Sequence, residues 1–240
     1  MKDIELWHGD CLDLMKDIPD SLVDMVFADL PYGTTACKWD VIIPFNLLWK
    51  ELNRVSKKTA NFIFTASQPF TSLLVQSNIE NFKYEWIWEK EQGTNPMLAK
   101  HQILKKHENI LVFYRVFETY NPQMKKGKSY NEFLSNSSKI GEVYGSRKSI
   151  HKKNIGTRYP TSIQKFVRED RKKGLHPTRK SNSLMDYILL TYSKEKDWIL
   201  DPVMGSGTTG ESAKRLNRKF IGIEKDKKYF DIAVDRINNT

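Results

Sequence analysis

Met25-Val26-Phe27-Ala28 is an apolar run without a polar break, and it stops abruptly in Asp29-Leu30-Pro31-Tyr32-Gly33. Such a run offers no solvent face, so it reads as a strand buried on both sides, as inside a parallel sheet covered by helices. In open sheets of that kind ligands bind beyond the carboxyl ends of the strands, which puts chemistry at Asp29. Asp29 offers an anionic acceptor, Pro31 keeps the chain out of helix, and Tyr32 offers a flat π-face. Together they suit capture of a planar base through its exocyclic amine. Asp, Pro and Gly also build ordinary strand-to-turn exits, so this stretch alone leaves both readings open.

The rest of the chain alternates strands and helices. Glu5–His8 reads as a first strand ending at Gly9-Asp10, and Leu12, Met15 and Ile18 then fall at helical spacing. Pro44 suits the first turn of a helix whose apolar face is Phe45, Leu48, Trp49, Leu52 and Val55. Asn61–Ala66 is a second buried strand, with a helix over Gln68–Ser77. Tyr84–Glu89 and Asn109–Tyr114 are aromatic-rich strands with no convincing helix between them, which predicts an antiparallel pair at a sheet edge. From about Tyr120 to Gly174 the periodicity fails, and the span reads as an insertion too poor in aliphatics for a large core. Order resumes with His176-Pro177-Thr178-Arg179-Lys180, a helix through Leu184, Tyr187, Ile188 and Thr191, and a strand Trp198–Asp201. A glycine loop, a helix, the strand Phe220–Glu224 and a last helix complete the chain.

Charge is unevenly placed. The 240 residues carry a net charge of +10, yet residues 121–180 alone hold 16 Lys and Arg against Glu132, Glu142, Glu169 and Asp170. Concentration in one segment points to a polyanionic partner, most simply nucleic acid. Cys11 and Cys37 form neither a metal spacing nor a disulfide framework, so a cytoplasmic setting is expected. The five histidines make no HExxH pattern, and no metal site is expected. No apolar run is long enough to span a membrane, and Met1–Asp10 is too polar for a signal peptide.

Gly205-Ser206-Gly207-Thr208-Thr209-Gly210 follows a strand and opens a helix, and the next strand ends in Glu224. Glycines let backbone approach a ligand closely, and a carboxylate at that strand end suits the two hydroxyls of a ribose. A nicotinamide dinucleotide fits less well. Only one strand–helix–strand unit follows the loop, and Asp201 at its mouth would repel a pyrophosphate. The same acid suits the ammonium of a methionine moiety, directly or through a water.

These residues match a known pattern. Asp29-Leu30-Pro31-Tyr32 resembles the D/N/S-P-P-Y/F/W motif of amino-group methyltransferases, and Asp201–Thr209 resembles the D-P-F-x-G-S-G-T-T cofactor loop of DNA methyltransferases. His176–Lys180 is similar to the H-P-T-Q-K-P segment that precedes that loop. Their order resembles the permuted β class of N6-adenine and N4-cytosine DNA methyltransferases over nearly the whole chain. Leu30, Val203 and Ser181 depart from the family's usual Pro, Phe and Pro.

The resemblance implies an α/β fold: a Rossmann-like S-adenosylmethionine-dependent methyltransferase sheet, mostly parallel with an antiparallel edge hairpin, plus a basic target-recognition insertion. It implies a catalytic part over 1–119, the insertion over 120–174 and a cofactor-binding part over 175–240. Asp29 and the Leu30 carbonyl would accept from the target amine, with Pro31 shaping the turn and Tyr32 stacking on a flipped base. Asp10 and Cys11 would meet the adenine of the cofactor, and Glu224 its ribose. Asp29, Asp201, Pro202, Gly205, Ser206, Gly207, Thr208, Thr178 and Lys180 would surround its methionine end. Asp10 also suits a helix cap, and Thr178 and Lys180 also read as a cap and a solvated lysine. Neither cysteine follows a proline in the manner of the carbon-5 cytosine enzymes, which disfavours covalent attack. The implied reaction is N6-adenine methylation of double-stranded DNA, yielding S-adenosylhomocysteine. N4-cytosine, an RNA amine and a non-catalytic nucleic-acid-binding module are the alternatives, and a homodimer stays open.

Overall fold

The computed structural model describes residues 1–34, 40–94, 96–134, 150–167 and 180–240. In chain order the elements are β1 (Ile4–His8), α1 (Cys11–Leu14), β2 (Val23–Ala28), α2 (Phe45–Val55), β3 (Ser56–Ala66), α3 (Phe70–Ser77), β4 (Phe82–Thr94) and β5 (Lys105–Tyr114). Four short strands follow: β6 (Lys125–Lys126), β7 (Tyr130–Leu134), β8 (Ile150–Asn154) and β9 (Thr157–Arg158). Then come β10 (Ile163–Lys165), α4 (Asn182–Tyr192), β11 (Trp198–Asp201), α5 (Thr208–Arg215), β12 (Lys219–Glu224) and α6 (Lys227–Asn238). Among the described residues, no helix is long and apolar enough to cross a membrane.

Eight strands form one sheet in the order β1-β12-β11-β2-β3-β5-β4-β10. Every adjacent pair is parallel except β3/β5 and β5/β4, so β5 alone runs against the others. The antiparallel hairpin lies at the expected end of the sheet. Outside it, β10 adds to β4 with Ile163 opposite Ile87, so residues 163–165 of the span read as insertion belong to this sheet.

The uninterrupted run in β2 is explained by two cores. Val26 and Ala28 pack with Leu48, Trp49, Leu52, Phe62, Phe64 and Phe70 on the face covered by α1–α3. Met25 and Phe27 pack with Ile63, Leu184, Ile188, Phe220 and Ile237 on the face covered by α4–α6. Each such side chain removed from water contributes about 1.5–3 kcal/mol before entropy is set against it. Helix starts follow local rules: the Ser181 hydroxyl accepts from the Leu184 amide (3.2 Å), and Asp226 from the amides of Lys228 and Tyr229.

The chain divides into two compact units, Met1–Asn121 with Ser162–Thr240, and Pro122–Thr161. In the second, β6 pairs with β9 and β7 with β8, both antiparallel. Polar staples hold its turn. Asn154 Oδ1 accepts from the Gly156 amide (2.9 Å), the Thr157 amide (3.1 Å) and Arg158 Nη1 (2.7 Å). The Arg158 guanidinium lies 4.8 Å over the Tyr130 ring.

Candidate active site

Because β1, β12, β11, β2 and β3 run parallel, their carboxyl ends share one edge of the sheet. Asp10 follows β1, Glu224 ends β12, Asp201 ends β11 and Asp29 follows β2. The chain leaves β11 toward β12 and leaves β2 toward β3, so strand order diverges between β11 and β2. A crevice is expected at such a switch point. There a cavity of about 710 Å³ opens, lined by Asp10, Cys11, Asp29, Leu30, Pro31, Tyr32, Lys180, Asp201, Pro202, Gly205, Ser206, Thr208 and Glu224, among others. Seven of the lining residues are acids and two are lysines. Thr178 and Cys37 lie outside the described residues.

Asp29 is anchored at both oxygens. Its Oδ1 accepts from the Tyr32 hydroxyl at 2.9 Å and from the Thr65 hydroxyl, and its Oδ2 pairs with Lys180 Nζ at 2.9 Å. Burial, with the charges of Asp29 and Glu108, pushes the Tyr32 phenol well above its ordinary range and keeps it a neutral donor. The Tyr32 ring stacks on Phe70 with centroids 5.0 Å apart. The loop beyond is closed by Asp40, whose two oxygens accept from the Gly33 and Thr34 amides at 2.8 and 2.9 Å.

The two glycines of the loop after β11 serve different ends. Gly205 has φ +52°, and a Cβ there would meet nothing within 4 Å, so its missing side chain leaves the cavity open. Gly207 has φ +81° and caps α5; a Cβ there would sit 2.9 Å from Ala233 Cβ. Gly207 therefore turns toward α6, and it is not part of the cavity wall. Asp201 is only 2% exposed and is spent on the loop: Oδ2 accepts from Thr209 Oγ1 (2.6 Å), Oδ1 from the Val203 amide (3.1 Å). Burial, and to a lesser degree the charges of Asp29 and Glu224, raises its carboxyl to about 7.

Glu224 receives the Gly205 amide at 2.9 Å and the Asp226 amide at 2.7 Å, and burial raises its pKa. Asp10 caps α1 through the Leu12 amide (2.9 Å) and pairs with Lys225 (3.0 Å), so the capping reading holds. Burial, then the charge of Asp10, pushes the Cys11 thiol up to about 12, which leaves it an unreactive neutral group.

The solvated reading of Lys180 does not hold. The residue is 9% exposed and bridges Asp29 and Glu108, each at 2.9 Å. Sequence reasoning passed over Glu108, Lys90 and Thr65. Glu108 is the fourth residue of β5, whose reversed direction brings a strand's first half to the edge where the others end. Lys90 lies near the far end of β4 and pairs with Glu108. Burial opposes ionisation of Glu108, but Lys180 and Lys90 hold its carboxyl down at about 2. A charged residue bordering an aromatic strand was the available signal. Among the described residues, no cluster of His, Cys, Asp and Glu could hold a metal ion.

A model of the N6/N4 methylase family, described as a DNA methylase, matches residues 23–235. Type II methyltransferase M2.LlaDCHI of Lactococcus lactis subsp. cremoris is 29% identical, across 97% of this chain and 88% of its own. Type II methyltransferase M2.MboI of Moraxella bovis is 27% identical, across 98% and 88%. Among solved structures, the M1.HpyAVI–SAM complex superposes with a TM-score of 0.65 at 24% identity, covering 97% of this chain and 99% of that one. The PvuII DNA methyltransferase, described as cytosine-N4-specific, gives 0.69 at 13% identity, covering 98% and 88%. Both likenesses are of fold.

Proposed function

This chain belongs to the N6/N4 family of DNA methylases and is a site-specific DNA methyltransferase, and we propose that its target is the N6 amine of adenine flipped out of double-stranded DNA. The methyl donor is S-adenosylmethionine. The target base rests on the acid at the first position of Asp29-Leu30-Pro31-Tyr32, which is commoner in the adenine enzymes this segment resembles, and one observation of the site carries the donor. An anchored carboxylate, Asp29, faces a cavity lined by seven acids and two lysines, inside a chain of net charge +10. Such a lining suits a ligand with a sulfonium and an ammonium and disfavours a pyrophosphate. The opening over Gly205 and the carboxylates at the ends of β1 and β12 fit the rest of that donor.

When bound, S-adenosylmethionine supplies an electrophilic methyl group on a cationic sulfur, leaving S-adenosylhomocysteine. The residues do the remainder. A carboxylate offers about four acceptor sites, so Asp29, with three donors in place, keeps one for the target amine. The Leu30 carbonyl takes the second N–H. Together they turn the nitrogen lone pair toward the methyl and stabilise the positive charge that develops on attack. Asp29 need not act as a strong base, because the nitrogen becomes strongly acidic once methylated and then releases its extra proton to water. Flipping costs a few kcal/mol, and stacking on Tyr32 offsets part of it.

Asp10, with Cys11 beside it, would meet the donor's adenine, and Glu224 the ribose. Asp201, Pro202, Gly205, Ser206 and Thr208 would enclose the methionine end with Thr178, while Gly207 contributes through the shape of the loop. Target recognition is assigned to the basic insertion, residues 120–174, where Lys and Arg supply phosphate contacts and Asn and Arg can read base edges. A modification role beside a type II restriction enzyme is supported by the names of the relatives.

The test is incubation with labelled S-adenosylmethionine and unmethylated DNA, then digestion and mass spectrometry of the nucleosides. N6-methyladenine is expected. N4-methylcytosine would keep the chemistry and overturn the base; no DNA product, with the donor still bound, would overturn the substrate and direct the assay to RNA.

A further inference from the structure

Lys90, Glu108, Lys180 and Asp29 form a row of alternating charge that begins within the sheet and ends in the cavity. Lys90 Nζ pairs with Glu108 Oε1, and Lys180 Nζ reaches Glu108 Oε2 and Asp29 Oδ2, both at 2.9 Å. The side chains of Lys90, Glu108 and Lys180 are only 10–12% exposed. Both ammonium groups lie over the Trp88 ring, at 5.1 and 5.8 Å. Lys105, half-buried nearby, donates to the Ser67 hydroxyl instead of joining the row.

A lysine against the catalytic acid poses an electrostatic problem. The donor is a cation, and the attacking amine becomes one, so an unopposed ammonium at Asp29 would disfavour both. Glu108 lines the same cavity and meets that ammonium from the other side. Burying four ions costs desolvation, which is repaid only when each is well paired. We propose that Glu108 is a positioning residue whose charge offsets Lys180, so that Lys180 can hold Asp29 in place without repelling the cationic donor. Lys90 balances Glu108 in turn and keeps the row neutral. This rests on the donor assigned above and not on which base accepts the methyl.

The test compares affinities for S-adenosylmethionine and S-adenosylhomocysteine, which differ by one methyl and one positive charge. Glu108→Gln leaves the row with an excess positive charge and should weaken the sulfonium ligand relative to the thioether by roughly fivefold, while slowing transfer. Lys90→Gln should move the same ratio the other way. The double variant K90Q/E108Q should return it close to the wild-type value. A purely structural role would lower both affinities together. Ratios that do not move, or that move in one direction in both single variants, overturn the proposal. If Glu108→Gln fails to fold, Lys90→Gln decides: a shift toward the sulfonium ligand supports it, and no shift or the reverse overturns it. Absence of a methylated nucleoside alongside the expected ratios would refute the DNA reading and leave this one standing.

Discussion

The cavity at the sheet edge and the unit Pro122–Thr161 are opposites in charge and in how they are held. The cavity is acid-rich, and its acids are fixed by buried partners: Asp201 by Thr209, Glu224 by two amides, Asp29 by Tyr32, Thr65 and Lys180. Residues 122–161 carry nine Lys and Arg against two acids, and the turn after β8 is held by polar contacts of Asn154 and Arg158. A preorganised site suits a small cation that must be placed to within a fraction of an ångström. A basic unit suits a long polyanion, whose phosphates give affinity without demanding one rigid geometry.

Six changes test that contrast. Asp29→Ala should slow transfer about a thousandfold, because the developing charge loses its partner, and should weaken donor binding only by roughly the fivefold expected of Glu108→Gln, because Lys180 is left one carboxylate short. Single-turnover kinetics beside a binding titration would check both halves. Replacing Pro122–Thr161 with a short Gly/Ser linker should lower DNA affinity about a hundredfold and flatten its salt dependence while donor affinity holds. Retained sequence-specific methylation would remove that unit from target recognition.

Smaller effects separate the glycines and the acids. Gly207→Ala, at φ +81° and against Ala233, should lower stability by about 2 kcal/mol in a thermal melt. Gly205→Ala, with open space around it, should instead weaken donor binding. Asp201 is raised from 3.8 to about 7, so the unliganded fold binds its proton more tightly than the unfolded chain does. Stability of the unliganded protein should therefore fall as pH rises across that window. Affinity for the cationic donor should rise over the same window, by up to about tenfold per unit below the folded pKa, and Asp201→Asn should flatten both profiles. Asn154→Ala should cost about 1 kcal/mol, seen as faster hydrogen exchange at Gly156 and Thr157 with the main sheet unchanged.

Much of the main sheet was legible because its central strands, β2 and β11 among them, are buried on both faces, and apolar runs such as Met25–Ala28 mark them. The strand ends were legible for the same reason, since an acid after an apolar run is conspicuous at Asp29, Asp201 and Glu224. Glu108 was not. It precedes the apolar run of a strand that runs backwards, and a hydrophobic pattern carries no direction, so a cavity-lining residue in a strand's first half looks like a solvated edge. Thr65 was hidden inside a buried run, where a hydroxyl passes as a tolerated core residue. Lys180 was ambiguous until the two carboxylates around it were in view. β10 is too short to show periodicity and gains its place only by pairing with β4.

The pairing of β1 with β12 has a consequence for the growing chain. Ile4–His8 lies against Phe220–Glu224, and the Gly9 amide donates to the Glu224 carbonyl at 3.0 Å. During translation Asp29 emerges early, but β11 and the glycine loop emerge only after Trp198, and β12 only after Lys219. Until then β1 has no strand to lie against, and the cavity at the sheet edge is incomplete. A ribosome stalled before that point holds a chain without Glu224, Lys225, Asp226 and Tyr229, which line the cavity.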